Sequence, residues 1–334
     1  MNNFKQAYGF VLKNIKKNKK LVESSKSIKG KTFVIAGGTR GIGFHIGKAL
    51  VEKGANVAIL GKTKEPHPKL ENTVDSAVEK LISYSKPEHQ VSKKYESPDY
   101  KVMPFTKVTK EYIETQQPKK KVMGVICDVR DKESIDKGRD QILNYFGNID
   151  GLIINASALC LNSTLKQTQK EIDLMNGVNI KGSFNVGQSY LEIIKQTSTH
   201  PHVLVISPPM DMLYNSDWWL HHFYYSMSKF NMSLMAKFWN EEFPNVAFNT
   251  LWPRTTIDTA PVRNLLGGDY MVNISRKPEI MGTAASIILS SNPKEINGNN
   301  FIDDEVCVSA DIDVEQFRIN PEIKEKDLMP DFFC

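Results

Sequence analysis

The 334-residue sequence predicts an α/β protein built on a doubly wound parallel sheet. Three observations predict it. Short β-branched runs alternate with helical patterns along most of the chain, the signature of parallel strands joined by right-handed crossovers. The first apolar run, Thr32-Phe33-Val34-Ile35, breaks into Ala36-Gly37-Gly38-Thr39-Arg40-Gly41-Ile42-Gly43 and re-emerges as Phe44-His45-Ile46-Gly47-Lys48-Ala49-Leu50. A buried strand that passes through glycines into a helix lets the backbone close on a phosphate and aims the free N–H groups of the helix start at it. Finally, 40% hydrophobic content without internal repeats is enough for one large core.

Taken in order, strands are predicted at 32–36, 56–60, 122–127, 149–155, 202–207 and 246–252, each short and apolar enough to be buried on both faces. Helical patterns fall at about 42–53, 70–83, 131–146, 168–196 and 225–243. Thr168-Gln169-Lys170-Glu171 reads as a capping box opening the fourth of these. A further helix at 278–291, started by Pro278, leads to a last strand near 300–308. This order is Rossmann-type, one domain over residues 32–308. Residues 84–121, with four prolines, nine lysines and five acids but little periodicity, read as an insertion after the second strand–helix unit. Residues 309–334 form a C-terminal tail that packs back on the body or on a partner.

The net charge of +5 is unevenly spread: residues 1–31 hold nine lysines against Glu23 alone, so the remainder of the chain is slightly acidic. That argues against a nucleic-acid-binding face. Phe4, Ala7, Tyr8, Val11 and Ile15 recur at helical spacing among those lysines. The basic N-terminal extension is therefore either a mitochondrial targeting or membrane-surface segment, or a solvated, frayed end, which leaves a mitochondrial or a cytoplasmic location open. No apolar run approaches the ~20 residues of a membrane span, so no stable membrane insertion is expected. Cys127, Cys160, Cys307 and Cys334 show no metal-ligand spacing, so the thiols are expected reduced and no metal site is expected.

Tyr225 and Lys229 stand four residues apart, on one face of the helix that follows the fifth strand. Alone the pair means little; it gains weight from its place in a sheet whose first turn is built to hold a nucleotide. At this point the chain resembles the short-chain dehydrogenase/reductase family. The glycine turn 36–43, with Ala36 where threonine is usual, Asp128 after the third strand, Asn155-Ala156-Ser157-Ala158, Asn179 and Tyr225/Lys229 match that family's motifs in order. One branch, the hydroxysteroid dehydrogenase-like protein 2 group, is similar also at Pro66-His67-Pro68-Lys69-Leu70, Ile206-Ser207-Pro208-Pro209, Leu251-Trp252-Pro253-Arg254-Thr255 and Met329-Pro330-Asp331-Phe332-Phe333. Members of that group often continue into a sterol-carrier domain; with Cys334 the last residue given, neither such a domain nor a C-terminal peroxisomal signal is expected.

The resemblance implies a nicotinamide-dependent oxidoreductase that interconverts a carbonyl and an alcohol. Gly37, Gly38, Thr39, Arg40, Gly41, Ile42, Gly43, Asp128 and Asn155 would bind the cofactor. Tyr225 would exchange the proton and Asn179 would hold a water relay. Lys229, expected together with the oxidised nicotinamide to lower the phenol's pKa by positive charge, would also bind the ribose. The family's polarising serine position is Pro208 here, which has neither hydroxyl nor N–H. Ser207 is the remaining candidate, although strand alternation aims it the other way. Either His221 or His222 could donate in its stead. After the second strand stands Gly61-Lys62-Thr63-Lys64, with no acid to bind the adenosine ribose; Lys62 with Arg40 would attract the extra phosphate of NADP(H), which is favoured over NAD. Trp218, Trp219, Phe223 and the segment 254–275, with Leu265-Leu266-Gly267-Gly268 as a hinged lid, suggest an apolar, lipid-like substrate. The competing reading is a catalytically weak NADP-binding sensor or scaffold. The helices at 168–196 and 225–243 are the family's usual pairing surfaces, implying a homo-oligomer.

Overall fold

The computed structural model describes residues 17–68, 70–85, 121–214 and 221–333. The predicted insertion lies almost wholly outside these residues, as do the amphipathic stretch 4–15 and Trp218 and Trp219. Seven strands form one sheet in the order β3-β2-β1-β4-β5-β6-β7: β1 (Thr32–Ala36), β2 (Asn56–Gly61), β3 (Val122–Ile126), β4 (Gly151–Ile154), β5 (His202–Ile206), β6 (Ala247–Trp252) and β7 (Asn300–Ile302). All neighbours pair in parallel. The chain thus winds outward in opposite directions from β1 and β4, and a crevice opens at the carboxyl ends of that pair.

Period-two alternation divides the core. Phe33, Ile35, Ile59, Ile153, Leu204 and Leu251 face one side, where α2 (Gly41–Glu52) and α10 (Glu279–Ser290) cover them. Val34, Ala58, Leu60, Leu152, Val203 and Val205 face the other, against α4 (Lys132–Phe146), α6 (Ser183–Thr197) and α7 (Phe223–Glu242). Helix–helix approaches are tight: a Cβ at Gly187 of α6 would stand 2.3 Å from the Trp239 ring of α7. The remaining helices are α1 (Lys19–Glu23), α3 (Val74–Ser83), α5 (Gln169–Met175), α8 (Ala260–Leu265), α9 (Gly268–Asn273) and α11 (Asp303–Ser309).

Local signals act as expected at most boundaries. The Thr168 side chain accepts from the Glu171 backbone while the Glu171 carboxylate accepts from the Thr168 backbone N–H at 2.9 Å, closing the capping box of α5. Asp131 caps α4, which ends at Gly147 with φ 85°.

Three expectations need correction. The helix predicted over 168–196 is not continuous: Asn176–Gly182 form a π-helical turn between α5 and α6. The strand predicted near 300–308 stops at Ile302 and becomes α11, because Asp303, Asp304 and Glu305 occupy its first turn and favour a helix start through the backbone dipole. Residues 17–31 are not a solvated end. Leu21 and Ile28 are each 1% exposed in the core, Lys26 N–H donates to Ser290 O at 2.6 Å, and the Ser291 hydroxyl donates to Leu21 O at 3.1 Å. Basic composition hid two core anchors.

The segment after α11 also belongs to the body. Arg276, fully buried, pairs with Asp304 at 3.5 Å and with Glu325 at 2.5 Å. Met329 N–H donates to Ile274 O, Thr256 N–H to Met329 O and Asp331 N–H to Arg254 O, each at 2.9 Å. Residues 328–333 therefore run as a strap across the loop that follows β6.

Candidate active site

A cavity of about 550 Å³ extends from the glycine turn after β1, past the ends of β2, β3 and β4, to Tyr225 and Lys229 of α7. The turn owes its shape to glycine. Gly37 (φ 83°) and Gly41 (φ 51°) are left-handed, and a Cβ at Gly43 would lie 2.2 Å from Gly37 O. The Asn155 amide donates to that same carbonyl at 2.8 Å, fastening the end of β4 to the turn. α2 then begins at Gly41 with no acid in its first turn, so its free N–H groups present uncompensated positive charge to the cavity.

Around this cradle the other expected binding residues gather. Gly37, Thr39, Arg40, Gly41, Ile42, Lys62, Asp128 and Asn155 all line the cavity, whereas Gly38 and Gly43 shape the turn from behind. Arg40 donates to the Thr63 hydroxyl at 2.6 Å and to Asn72 O at 3.3 Å, while its buried Nε finds no partner among the described residues. Asp128 is gripped by the Arg130 guanidinium at 3.1 Å and 2.5 Å, and that hydrogen-bonded charge holds its carboxyl below the usual carboxylate range. A dinucleotide fits what is present: a helix N-terminus, a glycine cradle that a Cβ would fill, and an orphaned guanidinium nitrogen.

At the other end, Tyr225 and Lys229 are both buried. The Lys229 ammonium donates to Ile206 O at 2.7 Å and lies 5.1 Å over the Trp252 ring. Burial lowers its pKa to about 7 against the opposing pull of Asp331. Lys229 on its own does not depress the Tyr225 pKa. Burial, aided by the Asp331 carboxyl, drives the phenol above its ordinary value, so at neutral pH Tyr225 holds its proton.

Two further residues sit as follows. The Asn179 side chain is held by three bonds: its oxygen accepts from Ala158 N–H at 2.7 Å, and its amide donates to Ala158 O at 3.0 Å and to the Ser228 hydroxyl at 2.9 Å. It clamps the loop after β4 to α7, and both amide hydrogens are used in doing so. The Ser207 hydroxyl is fully buried, outside the cavity lining and without a partner among the described residues, because alternation along β5 turns it away. Pro208 O accepts from the Ser233 hydroxyl at 2.6 Å. His221 and His222 are not cavity residues, and His222 bonds Leu161 O at 2.7 Å.

The wall missed by sequence reasoning is the strap. Asp331 and Phe332 line the cavity, Phe332 and Phe333 each pack 6.3 Å from the Tyr225 ring, and the Trp252 indole donates to Phe332 O at 2.8 Å. An acid between Pro330 and two phenylalanines was the available signal. Apolar residues of the 254–275 segment, Ile257, Val262 and Leu266 among them, close the other side. Gly267 (φ 134°) stands between α8 and α9 there, and Gly268 (φ 61°) opens α9.

Comparison with known proteins agrees with this geometry. A sequence profile of the family described as short chain dehydrogenase matches residues 89–265. Hydroxysteroid dehydrogenase-like protein 2 of Xenopus tropicalis is 33% identical over 315 residues, covering 94% of this chain and 66% of that protein. Its human counterpart is 32% identical over 314 residues, covering 94% of this chain and 65% of that protein. The chain thus spans slightly under two thirds of those relatives. A short chain dehydrogenase from Mycobacterium thermoresistibile superposes with TM-score 0.74 at 32% identity, covering 91% of this chain and 95% of that one. The fold alone is shared with an alcohol dehydrogenase of Thermococcus sibiricus complexed with 5-hydroxy-NADP, at TM-score 0.61 and 20% identity, covering 81% of this chain and 95% of that one. The seven-stranded sheet, the glycine turn and the matched profile identify the chain as a member of the short-chain dehydrogenase/reductase family, whose oxidoreductases use a nicotinamide cofactor.

Proposed function

We propose that the protein is an NADP(H)-dependent oxidoreductase that reduces a carbonyl group on an apolar, lipid-derived substrate. The observation that carries this reading is one continuous cavity joining the glycine cradle to a buried, protonated phenol. The turn 37–43, Asp128 and Asn155 would hold the dinucleotide, and Lys229 would meet its nicotinamide ribose. When bound, the cofactor carries the hydride; the protein handles the proton and the fit. Tyr225 gives its hydroxyl proton to the substrate oxygen, and a phenol that keeps its proton at neutral pH suits the reductive direction. Lys229, poised near neutrality by burial, is the group that can reprotonate it. Tyr225, Trp252 and Phe332 give the substrate end a mostly apolar wall.

The preference for NADP(H) rests on charge. β2 ends at Gly61 and is followed by Lys62 rather than an acid, and Arg40 stands beside it on Thr63. Exposed Phe184 on α6 and Phe238 on α7 support self-association through that helical face. The deciding experiment is a panel of apolar ketones and aldehydes assayed with NADPH and NADH in parallel. NADPH-driven turnover is expected, falling about 10²–10⁴-fold in Tyr225→Phe while NADPH still binds. Tight NADPH binding with no Tyr225-dependent turnover would favour the sensor or scaffold reading instead.

A further inference from the structure

We propose that Asp331, delivered by the strap, is a catalytic residue of this site, its carboxyl group donating a hydrogen bond to the same substrate oxygen that Tyr225 protonates. The inference rests on the oxidoreductase reading above. The end of β5 supplies no such donor: Pro208 lacks hydroxyl and N–H, its carbonyl is taken by Ser233, and the Ser207 hydroxyl is buried outside the cavity. Asp331 lines the cavity together with Tyr225 and Lys229.

Its backbone is fixed on both sides. Before it, Met329 O accepts from Thr256 N–H at 2.9 Å; at Asp331 itself the backbone N–H donates to Arg254 O at 2.9 Å; after it, Phe332 O accepts from the Trp252 indole at 2.8 Å. Phe333 then plugs a buried slot, 5.6 Å from the Trp252 ring, 6.3 Å from Tyr225 and 5.1 Å from Phe230. A group held this firmly needs no reorganisation when charge develops on the substrate oxygen.

The surroundings also push it towards the neutral form. Asp303 faces it from α11, Lys229 and Tyr225 from α7, and the Trp252 indole from β6. Burial, reinforced by the Asp303 charge, raises its pKa well above the carboxylate range against the weaker pull of Lys229 and the Trp252 and Phe332 N–H groups. A neutral carboxyl is a donor, whereas an ionised one can only accept.

The test uses the full chain in four forms: wild type, Asp331→Asn, Asp331→Leu and Tyr225→Phe. Infrared difference spectra of wild type minus Asp331→Asn at neutral pH read the carboxyl directly. NADPH affinity and kcat are measured with acetophenone, cyclohexanone and decanal as probes. The expected result is a protonated-carboxyl band assigned to Asp331, NADPH affinity unchanged in both Asp331 variants, and kcat lowered about 10²-fold in Asp331→Leu. Asp331→Asn, whose amide can still donate, is expected to stay within about tenfold of wild type. A missing band, or equal kcat in wild type and Asp331→Leu, would overturn the proposal while leaving Tyr225-dependent turnover intact. Absence of Tyr225-dependent turnover in wild type would overturn the oxidoreductase reading itself, and this role with it.

Discussion

At the residue scale, single atoms decide whether the cradle works. A methyl group at position 43 has nowhere to go, since Gly37 O lies 2.2 Å from where it would stand and that carbonyl is already fastened by Asn155. Gly43→Ala should therefore weaken NADPH binding by tenfold or more, about 1.4 kcal/mol at least, in a fluorescence titration. Lys62 makes a different kind of contribution, a charge at the cavity rim. Lys62→Ala is expected to lower NADPH affinity about tenfold and to leave NADH affinity unchanged, so the ratio of the two is the measurement. The glycines, Tyr225 and Lys229 were legible in sequence because each obeys a short-range rule: a turn that admits no Cβ, a helix that stacks residues four apart. Ser207 and Asp331 were not. Which way a strand-end hydroxyl points is set by pleat and register, and Asp331 meets the Tyr225 site from more than a hundred residues further along the chain.

At the element scale, the π turn Asn176–Gly182 breaks the helical register beside the site and sends Val178 to the cavity wall. It lets Asn179 face the loop after β4 and α7 at once, so three hydrogen bonds converge on one amide. Asn179→Ala would leave the half-buried Ala158 N–H and carbonyl without that partner. Unpaired groups of this kind cost about 1–3 kcal/mol each, so a clear drop in thermal midpoint is expected. A midpoint equal to wild type would mean that solvent replaces the amide. The helical period over 168–196 was readable, but the extra residue in the turn was not, because apolar spacing hardly changes when one carbonyl skips its partner. Strand positions were recovered within a residue or two, since β-branched runs report burial directly. β7 was overextended because Asp303-Asp304-Glu305 was read past as strand rather than as the start of α11.

At the scale of the whole molecule, stability should depend on acid through two buried histidines at the start of β5. His202 on β5 is fully buried; its Nε2 bonds Ser291 O at 3.0 Å, and burial lowers its pKa from 6.5 to about 3. His200, its ring 4.6 Å away, is lowered as well, chiefly by burial. The unfolded chain takes up these protons below 6.5 and the native state resists, so stability falls as pH drops from about 6.5 towards 3. The slope for each histidine is at most about 1.4 kcal/mol per pH unit. Chemical denaturation at about pH 6.5 and pH 5 should show this loss, and His202→Gln should lessen it; an unchanged difference in the variant would assign the acid sensitivity elsewhere. The doubly wound topology was fully legible from alternation along the chain. The docking of residues 17–31 and 328–333 was not, since single apolar side chains in a charged or mixed context carry no periodic signal.

The strap has a bearing on how the protein is made. Domains organise from the amino end as the nascent chain leaves the ribosome. The turn at 37–43 and its flanking strands can form while Tyr225 still lacks Phe332 and Phe333 against its ring. A newly made molecule would thus pass through a stage able to hold dinucleotide in an unroofed crevice, and competence for turnover would lag behind competence for binding by the time needed to translate and seat the residues after β7.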